Sequence, residues 1–590
     1  MKLVLLFGFI SVLSLLPHGL PPTHDGEYHV VRFYEFDKTL RAGDWYPRWA
    51  PDLNYGYGVP LFNYVYPLPN YVASLFHLFG ISFIDAFKLN MFFATIIGSA
   101  FFYLWAKQFW GKMGGVVSSI FYTFSPYHFV EIYIRGSVGE VWALAFFPAF
   151  LWAFTRFIES KQKIFLILSS VFLALIIFSH NILALMFFPL AISYALFCIV
   201  ITKGKKLFTI YYLLFTILLS LGLSSIFWLP AILESNLVKG LEIFDVTRHF
   251  PDLYELLVPS WGSGFSGGDS QDHLSFQIGL ANLTAVLLSL LSVIFIFIFR
   301  HSGPFGGESF DGELRTVEPL RASNRLSRIS HRVWRFWSPH RQLAVRSQND
   351  GNVNVIIFFL VWFFIVFFLM LKISNPIWEN IPFMNYFQFP WRLMSIEILF
   401  ASFLAGSIFT LKLNWMKLPL FLFLIFLSFS LGIGYAKPAH YFYRDDKYYI
   451  TRSNFIDGTN SPGDVFNTIW FNQSLKKQSE RITIDKGRLE SSVIKPTDHS
   501  YFVSVFSESN ATINIAYFPN WTAFINGKKI TIRKDANGLI SFVVPKGKHL
   551  IEVKFQDTLV RTVANFVFLA SIFFILFYST ISLLKNYEKK

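Results

Sequence analysis

The stretch HDGEYHVVRFYEF, residues 24–36, sets two carboxylates, Asp25 and Glu27, one residue apart. His24 and His29 flank them, and Arg32 follows. A carboxylate positioned beside a hydroxyl can take its proton, so this D-x-E pair is a candidate general base with a companion acid. The pair comes directly after an apolar run, residues 3–17, where the chain has just left a membrane. A charge there is costly against lipid and has to face water or a polar cavity. Glu35, Asp37, Asp44, Asp52 and Asp85 share the same loop. Acids are ordinary in a solvated loop, so the chemical reading of Asp25 and Glu27 rests on their place at the end of a span.

The membrane itself is read from composition. Of 590 residues, 54% are hydrophobic, 19% aromatic and only 15% charged, more apolar surface than one soluble core encloses. Runs of about 20 apolar residues, enough to cross a hydrocarbon layer about 30 Å thick, recur about twelve times. Alternate connections between them carry the lysines and arginines: Lys107 and Lys112; Arg156, Lys161 and Lys163; Lys203, Lys205 and Lys206; Arg300 to Arg346; Lys412 and Lys417; Lys585 to Lys590. Those connections are expected in the cytoplasm, with both termini. The intervening segments, 17–86, 131–138, 180–181, 234–275, 372–390 and 437–560, are then expected outside the plasma membrane. The +14 formal charge is explained by these inner loops facing an anionic leaflet and calls for no nucleic acid. Cys198 is the single cysteine and lies within an apolar run, which excludes a disulfide framework and a cysteine metal site.

The chain divides by composition into a membrane module, residues 1–300, with the long first loop 17–86; an arginine-rich cytoplasmic insert, 301–352, expected to be mostly disordered or lying on the membrane surface; further spans over 353–436; an outer β-rich block, 437–560; and a last span with its tail, 561–590. The first span is expected to be a retained anchor, since no small-x-small cleavage pattern follows it. Within the β-rich block, Asn526-Gly527 between apolar-rich runs predicts a two-residue hairpin, and Asn537-Gly538 a second turn. The fold class expected is therefore a polytopic α-helical membrane protein with an extracytoplasmic β-sandwich near its C-terminus.

HDGEYHVVRFYEF, AGDWYPRWAPDLNYGYGVPLFNYVYPL, YIRGSVGE, FQFPWRL and YFPNWTAFINGKK together resemble the GT-C class of polytopic glycosyltransferases. Within it they are similar to the bacterial membrane proteins labelled 6-pyruvoyl-tetrahydropterin synthase-related and to YfhO-like membrane proteins. The resemblance runs from the first loop to the β block and leaves out the insert. No soluble pterin-synthase domain, nor its histidine metal cluster, is visible.

What the resemblance implies is a GT-C-like fold that moves a sugar from a polyprenyl-phosphate donor to an outer acceptor: a glycan, a lipid or a protein. Asp25 matches the acidic position that deprotonates the acceptor or orients a metal, with Glu27 as companion. A divalent cation at Asp25 and Glu27 stays open; no other metal or cofactor is called for. Arg135 in YIRGSVGE and Arg392 in FQFPWRL suit the phosphate, because guanidinium groups match phosphate oxygens in pairs. The plain alternatives are an ion pair of Arg135 with Glu131 or Glu140, and an interfacial snorkelling arginine at Arg392. Glu140, Arg48, Tyr55 and His29 complete the candidate binding residues; His180 is a minor one. Two other readings compete: a flippase for lipid-linked glycans, and a GT-C-like scaffold without turnover. No internal repeat of the kind common in transporters is evident.

Overall fold

The computed structural model describes residues 1–201, 206–240, 245–266, 273–301, 339–411, 414–451, 465–476 and 480–587. Among these, nine helices are long and apolar enough to cross a membrane, from Phe83–Thr123 to Leu559–Tyr578, and two shorter apolar helices, Lys2–Ser11 and Lys163–Ser179, accompany them. The nine compare with an expected count of about twelve, since Phe83–Thr123 is counted once and two apolar helices are short. Phe83–Thr123 forms one 41-residue element interrupted at Gly111, whose φ of 72° and ψ of −173° leave the helical path. Glycine alone enters that conformation without strain, and the chain folds back there: Ser119 Oγ donates to the Ser99 carbonyl at 2.7 Å and the Phe102 and Tyr122 rings stack at 4.3 Å, so Lys107 and Lys112 flank a tight turn between two antiparallel helices. In the C-terminal part of the arginine-rich insert, helix Pro339–Met370 is already under way before residue 353. Residues 302–338 of that insert lie outside the described residues.

The connections that lack clustered positive charge meet on one side of the helices. Segment 17–86 touches 131–138 through the Asp25 N–H, which donates to the Arg135 carbonyl at 2.9 Å. It touches 180–181 through Tyr66 against His180, centroids 5.0 Å apart, and 234–275 through Asn63, which donates to Glu234 at 2.9 Å. Leu20 pairs with Phe442 in an isolated antiparallel bridge, and His249 meets Phe389 at 4.6 Å. Six segments distant in sequence thus form one continuous surface layer.

The β domain lies on this same side. Its strands are β1 (Ile482–Ile484), β2 (Gly487–Ile494), β3 (Asp498–Val505), β4 (Ser509–Ala516), β5 (Trp521–Ile525), β6 (Lys528–Ile530), β7 (Arg533–Lys534), β8 (Leu539–Val544) and β9 (Gly547–Phe555). They make two antiparallel sheets, ordered β1-β4-β8-β7 and β2-β3-β9-β5-β6. The β5–β6 turn holds Asn526 and Gly527 at φ 48° and 80°, the positive values a tight primed hairpin needs. Tyr501, Val503, Ile513, Phe542 and Val553 fill the space between the sheets, and Trp49 and Tyr57 of the first loop enter the same core. Gly58 permits this: a Cβ there would stand 2.4 Å from the Trp49 indole.

Candidate functional site

Helix Gly26–Arg41 begins immediately after Asp25, yet the Asp25 side chain makes no capping bond. Its place is fixed by backbone instead. The His24 and Asp25 N–H groups donate to the carbonyls of Ile134 and Arg135, both at 2.9 Å, and Thr23 Oγ1 accepts from the Gly26 N–H at 3.1 Å. The two strands of chain approach so closely that a Cβ at Gly136 would sit 2.2 Å from Thr23 Oγ1, and its φ is +65°. Half-buried Asp25 therefore keeps its carboxylate unspent among the described residues. Glu27 stands about 200° around the helix from Asp25 and turns to another neighbour: together with burial, its charge pushes the Tyr449 phenol up to about 12.

Beside Asp25 lies a buried ion cluster. Val130–Arg135 is wound as a π-helix, a form that concentrates at functional sites, and it points Arg135 inward. Arg135 donates through Nη1 to Glu131 Oε1 at 2.5 Å and through Nη2 to Glu140 Oε1 at 2.7 Å. Arg392 brings Nε to 3.3 Å from that same Glu140 oxygen and donates through Nη1 to Gln388 at 2.5 Å. His180 Nε2 stands 3.7 Å from it. The Trp391 ring lies 5.0 Å from the Arg135 guanidinium and 5.9 Å from that of Arg392. Both Glu131 and Glu140 are 0% exposed, and the Oε2 atom of each has no hydrogen-bond partner among the described residues. The plain reading of Arg135 as an ion-pair residue thus describes the geometry, with both acids as partners instead of one.

Protonation follows from burial. His180 is pushed down to about 3 by desolvation, the nearby Glu140 opposing and the Arg392 and Arg135 charges assisting, so it is neutral at physiological pH. His29, fully enclosed against Phe33 and Phe87, is lowered well below the usual histidine range by desolvation and then by Arg32 and His180. Burial raises Glu131, with Arg135 pulling the other way. Tyr66 completes the neighbourhood: its phenol, raised by burial, lies in the fields of Arg32, Asp25, Glu140 and Arg135. Gly139 leaves room for its ring, since a Cβ there would be 2.5 Å away.

Asp25, His29, Arg135, Glu140 and Arg392 are therefore neighbours, although 367 residues separate the first from the last. Arg48 and Tyr55 belong elsewhere. Arg48 donates to Asn63 Oδ1 at 3.1 Å, to the Ile226 carbonyl at 3.3 Å and to Asn565 Oδ1 at 3.1 Å. Its Nε is 3.5 Å from Asp557. Next to it, Glu234 accepts from Asn63, from Thr558 at 2.6 Å and from Arg561 at 2.9 Å. This clasp joins the first loop, the end of helix Lys206–Leu233 and the root of the last helix. Tyr55, at φ 55°, packs against the core of the β domain.

Sequence reasoning missed Tyr66, Glu234, Arg561 and Glu397. Glu397, a little over one helical turn past Arg392, is fully buried with both carboxylate oxygens unpartnered among the described residues. An acid within the apolar run MSIEILFASFLA was its available signal. Among the described residues no group of three or more His, Cys, Asp or Glu side chains is placed to hold a metal ion.

Comparisons with known proteins divide the chain in two. Residues 62–301 match the family described as 6-pyruvoyl-tetrahydropterin synthase related domain, membrane protein. Residues 472–565 match the family described as bacterial membrane protein YfhO. The first match contains Arg135, Glu140, His180 and Glu234; the second contains Thr558 and Arg561; Asp25 and Arg392 lie outside both. A protein of Lactococcus lactis subsp. cremoris (strain MG1363), described as an uncharacterized protein, is 22% identical over 308 residues, 49% of this chain and 48% of that relative. The chain thus spans about half the length of the curated relative it matches. No solved structure matches. The chain is a multi-pass membrane protein in which the segment similar to the pterin-synthase-related family and the segment similar to YfhO are joined through the Glu234–Arg561 ion pair.

Proposed function

We propose that this protein is a membrane glycosyltransferase with a GT-C-like frame, moving a sugar from a polyprenyl-phosphate donor to an acceptor hydroxyl on the outer face of the plasma membrane. Both termini are cytoplasmic and the β domain is outside. Asp25 takes the acceptor proton as the acceptor oxygen forms its bond to the anomeric carbon. The bond from that carbon to the phosphate oxygen breaks, and the phosphate leaves with the electron pair. Arg135 and Arg392 exchange part of their contact with Glu140 for the leaving phosphate. Removing the donated proton and neutralising the leaving group at one place is what glycosyl transfer demands of a protein.

The observation that carries this reading is the unspent Asp25 carboxylate fastened by its own backbone to Arg135, which in turn shares Glu140 with Arg392. A second reading has its own support. Arg135 and Arg392 are already paired with carboxylates, which is how a scaffold without turnover would also be built. The two are separated by supplying purified full-length protein in lipid nanodiscs with a radiolabelled polyprenyl-phosphate sugar. Asp25→Asn is expected to slow donor consumption by about 10²–10⁴-fold while its melting temperature stays that of the parent. Undiminished turnover in Asp25→Asn removes the general base; no turnover in the parent with any acceptor favours the scaffold. Movement of labelled lipid between leaflets with every glycosidic bond intact would indicate transport.

A further inference from the structure

On the side of the membrane opposite the β domain, three helices leave a groove between them. Lys163–Ser179 begins there, Lys206–Leu233 begins there, and Leu559–Tyr587 passes there after crossing from the clasp at Arg561. Seventeen residues separate Arg561 from Tyr578, about 26 Å along a helix, so the groove lies close to a full hydrocarbon thickness away from the clasp. Its volume is about 250 Å³. Leu166, Ile167, Phe215 and Phe574 form the apolar wall, and Tyr211, Tyr212 and Tyr578 carry hydroxyls around it. Tyr211 is 62% exposed and Phe574 42%, on helices that present such faces to acyl chains.

Charge decides what kind of lipid fits. Lys163 lines the groove, and among the described residues no acidic side chain does. Its Nζ stands 5.4 Å from the Tyr578 ring centroid, at the polar end of the apolar wall. Exposed Lys161 lies two residues before it, and the acid of the preceding turn, Glu159, is paired with Arg156 at 3.2 Å. A groove that is apolar along its length, hydroxyl-bearing at its end and cationic at its mouth complements a single amphiphile. Basic pockets between helices at a membrane surface receive anionic headgroups in this way.

We propose that this groove is a binding site for an anionic phospholipid, with an acyl chain against Leu166, Phe215 and Phe574 and the headgroup phosphate on Lys163 beside Tyr578. The site is independent of the chemistry assigned to Asp25. It is tested by incubating the detergent-purified full chain with an equimolar mixture of dioleoyl-phosphatidylglycerol and dioleoyl-phosphatidylcholine and counting retained lipids by native mass spectrometry. The parent is expected to retain the anionic lipid about fivefold over the zwitterionic one, the preference one lysine confers near a headgroup. Lys163→Gln is expected to bring that ratio close to one, and Phe574→Trp, which fills the groove without altering charge, to reduce retention of both lipids. Lys112→Gln, an exposed basic residue outside the groove, is expected to keep the parent ratio. Absence of a preference in the parent, a preference surviving in Lys163→Gln, or an equal loss in Lys112→Gln would each overturn the assignment.

Discussion

Glu234 and Glu140 are both buried carboxylates paired with arginine, and they distribute their bonds in opposite ways. Glu234 spends both oxygens: Oε1 accepts from Thr558, and Oε2 from Asn63 and Arg561. Glu140 gathers Arg135, Arg392 and His180 around Oε1 and leaves Oε2 bare among the described residues. A buried oxygen without a partner costs about 1–3 kcal/mol. The clasp is a closed account of charge that holds elements together. The Glu140 cluster retains an open buried acceptor, which a hydroxyl or other hydrogen-bond donor entering the cluster would satisfy. Burial of ions by itself does not distinguish mortar from machinery; the unspent lone pairs do.

The comparison breaks if both clusters respond alike to mutation. Glu234→Ala leaves Arg561 buried without its anion, so a loss of about 3–5 kcal/mol in stability is expected. It should appear as a collapsed monodisperse peak when the detergent-solubilised protein is run by fluorescence-detected size exclusion. A smaller and more discriminating effect comes from making one conservative change in each cluster. Lysine keeps the charge and loses the planar fork, so Arg392→Lys is expected to weaken donor turnover by about tenfold, or ~1.4 kcal/mol, with little change in melting temperature. Arg561→Lys is expected to show the reverse pattern, a lowered melting temperature with turnover per folded molecule retained. If Arg392→Lys moves only the melting temperature, the Glu140 cluster is structural as well.

The smallest effect is on pH dependence. His29, His180 and His499 are all held below the ordinary histidine value chiefly by burial, His180 to about 3 and His499 to about 4. The unfolded chain takes up protons near pH 6.5 and the folded chain does not, so the unfolded state binds more protons as the pH falls. Stability is therefore full above about pH 6.5 and declines on acidification toward the folded values. Thermal melts from pH 7.5 to 5 should show that decline, and His180→Asn should flatten part of it. A melting temperature that rises on acidification would contradict the burial of these rings.

Much of the frame was legible because the membrane imposes long-range rules on local sequence. Alternating basic loops marked out the six segments that the structure brings into contact, and Asn526-Gly527 announced its hairpin from two residues. Asp25, Arg135 and Arg392 stood out because charges at the ends of apolar runs are few. What remained hidden depended on tertiary partners. Arg561 opens an apolar helix and looks like any arginine at a membrane surface until Glu234 is seen opposite it. Arg48 sits in an aromatic, glycine-rich loop whose composition suggests a ligand, whereas its donors are consumed by Asn63, Ile226 and Asn565. Gly111 and its flanking lysines ended one apolar run and began another in the sequence, and the structure turns back there, with Ser99 against Thr123.

The clasp also sets a timetable for biogenesis. Glu234 and Arg561 are 327 residues apart, so at about 5–20 residues per second a ribosome needs roughly 16–65 s between them. Throughout that interval Glu234 lacks Thr558 and Arg561, and Arg48 lacks Asn565, although Asn63 and Ile226 are already made. Insertion of helix Leu559–Tyr587 is then the step that neutralises the waiting charge and seals segment 17–86, so a segment made late latches one made early.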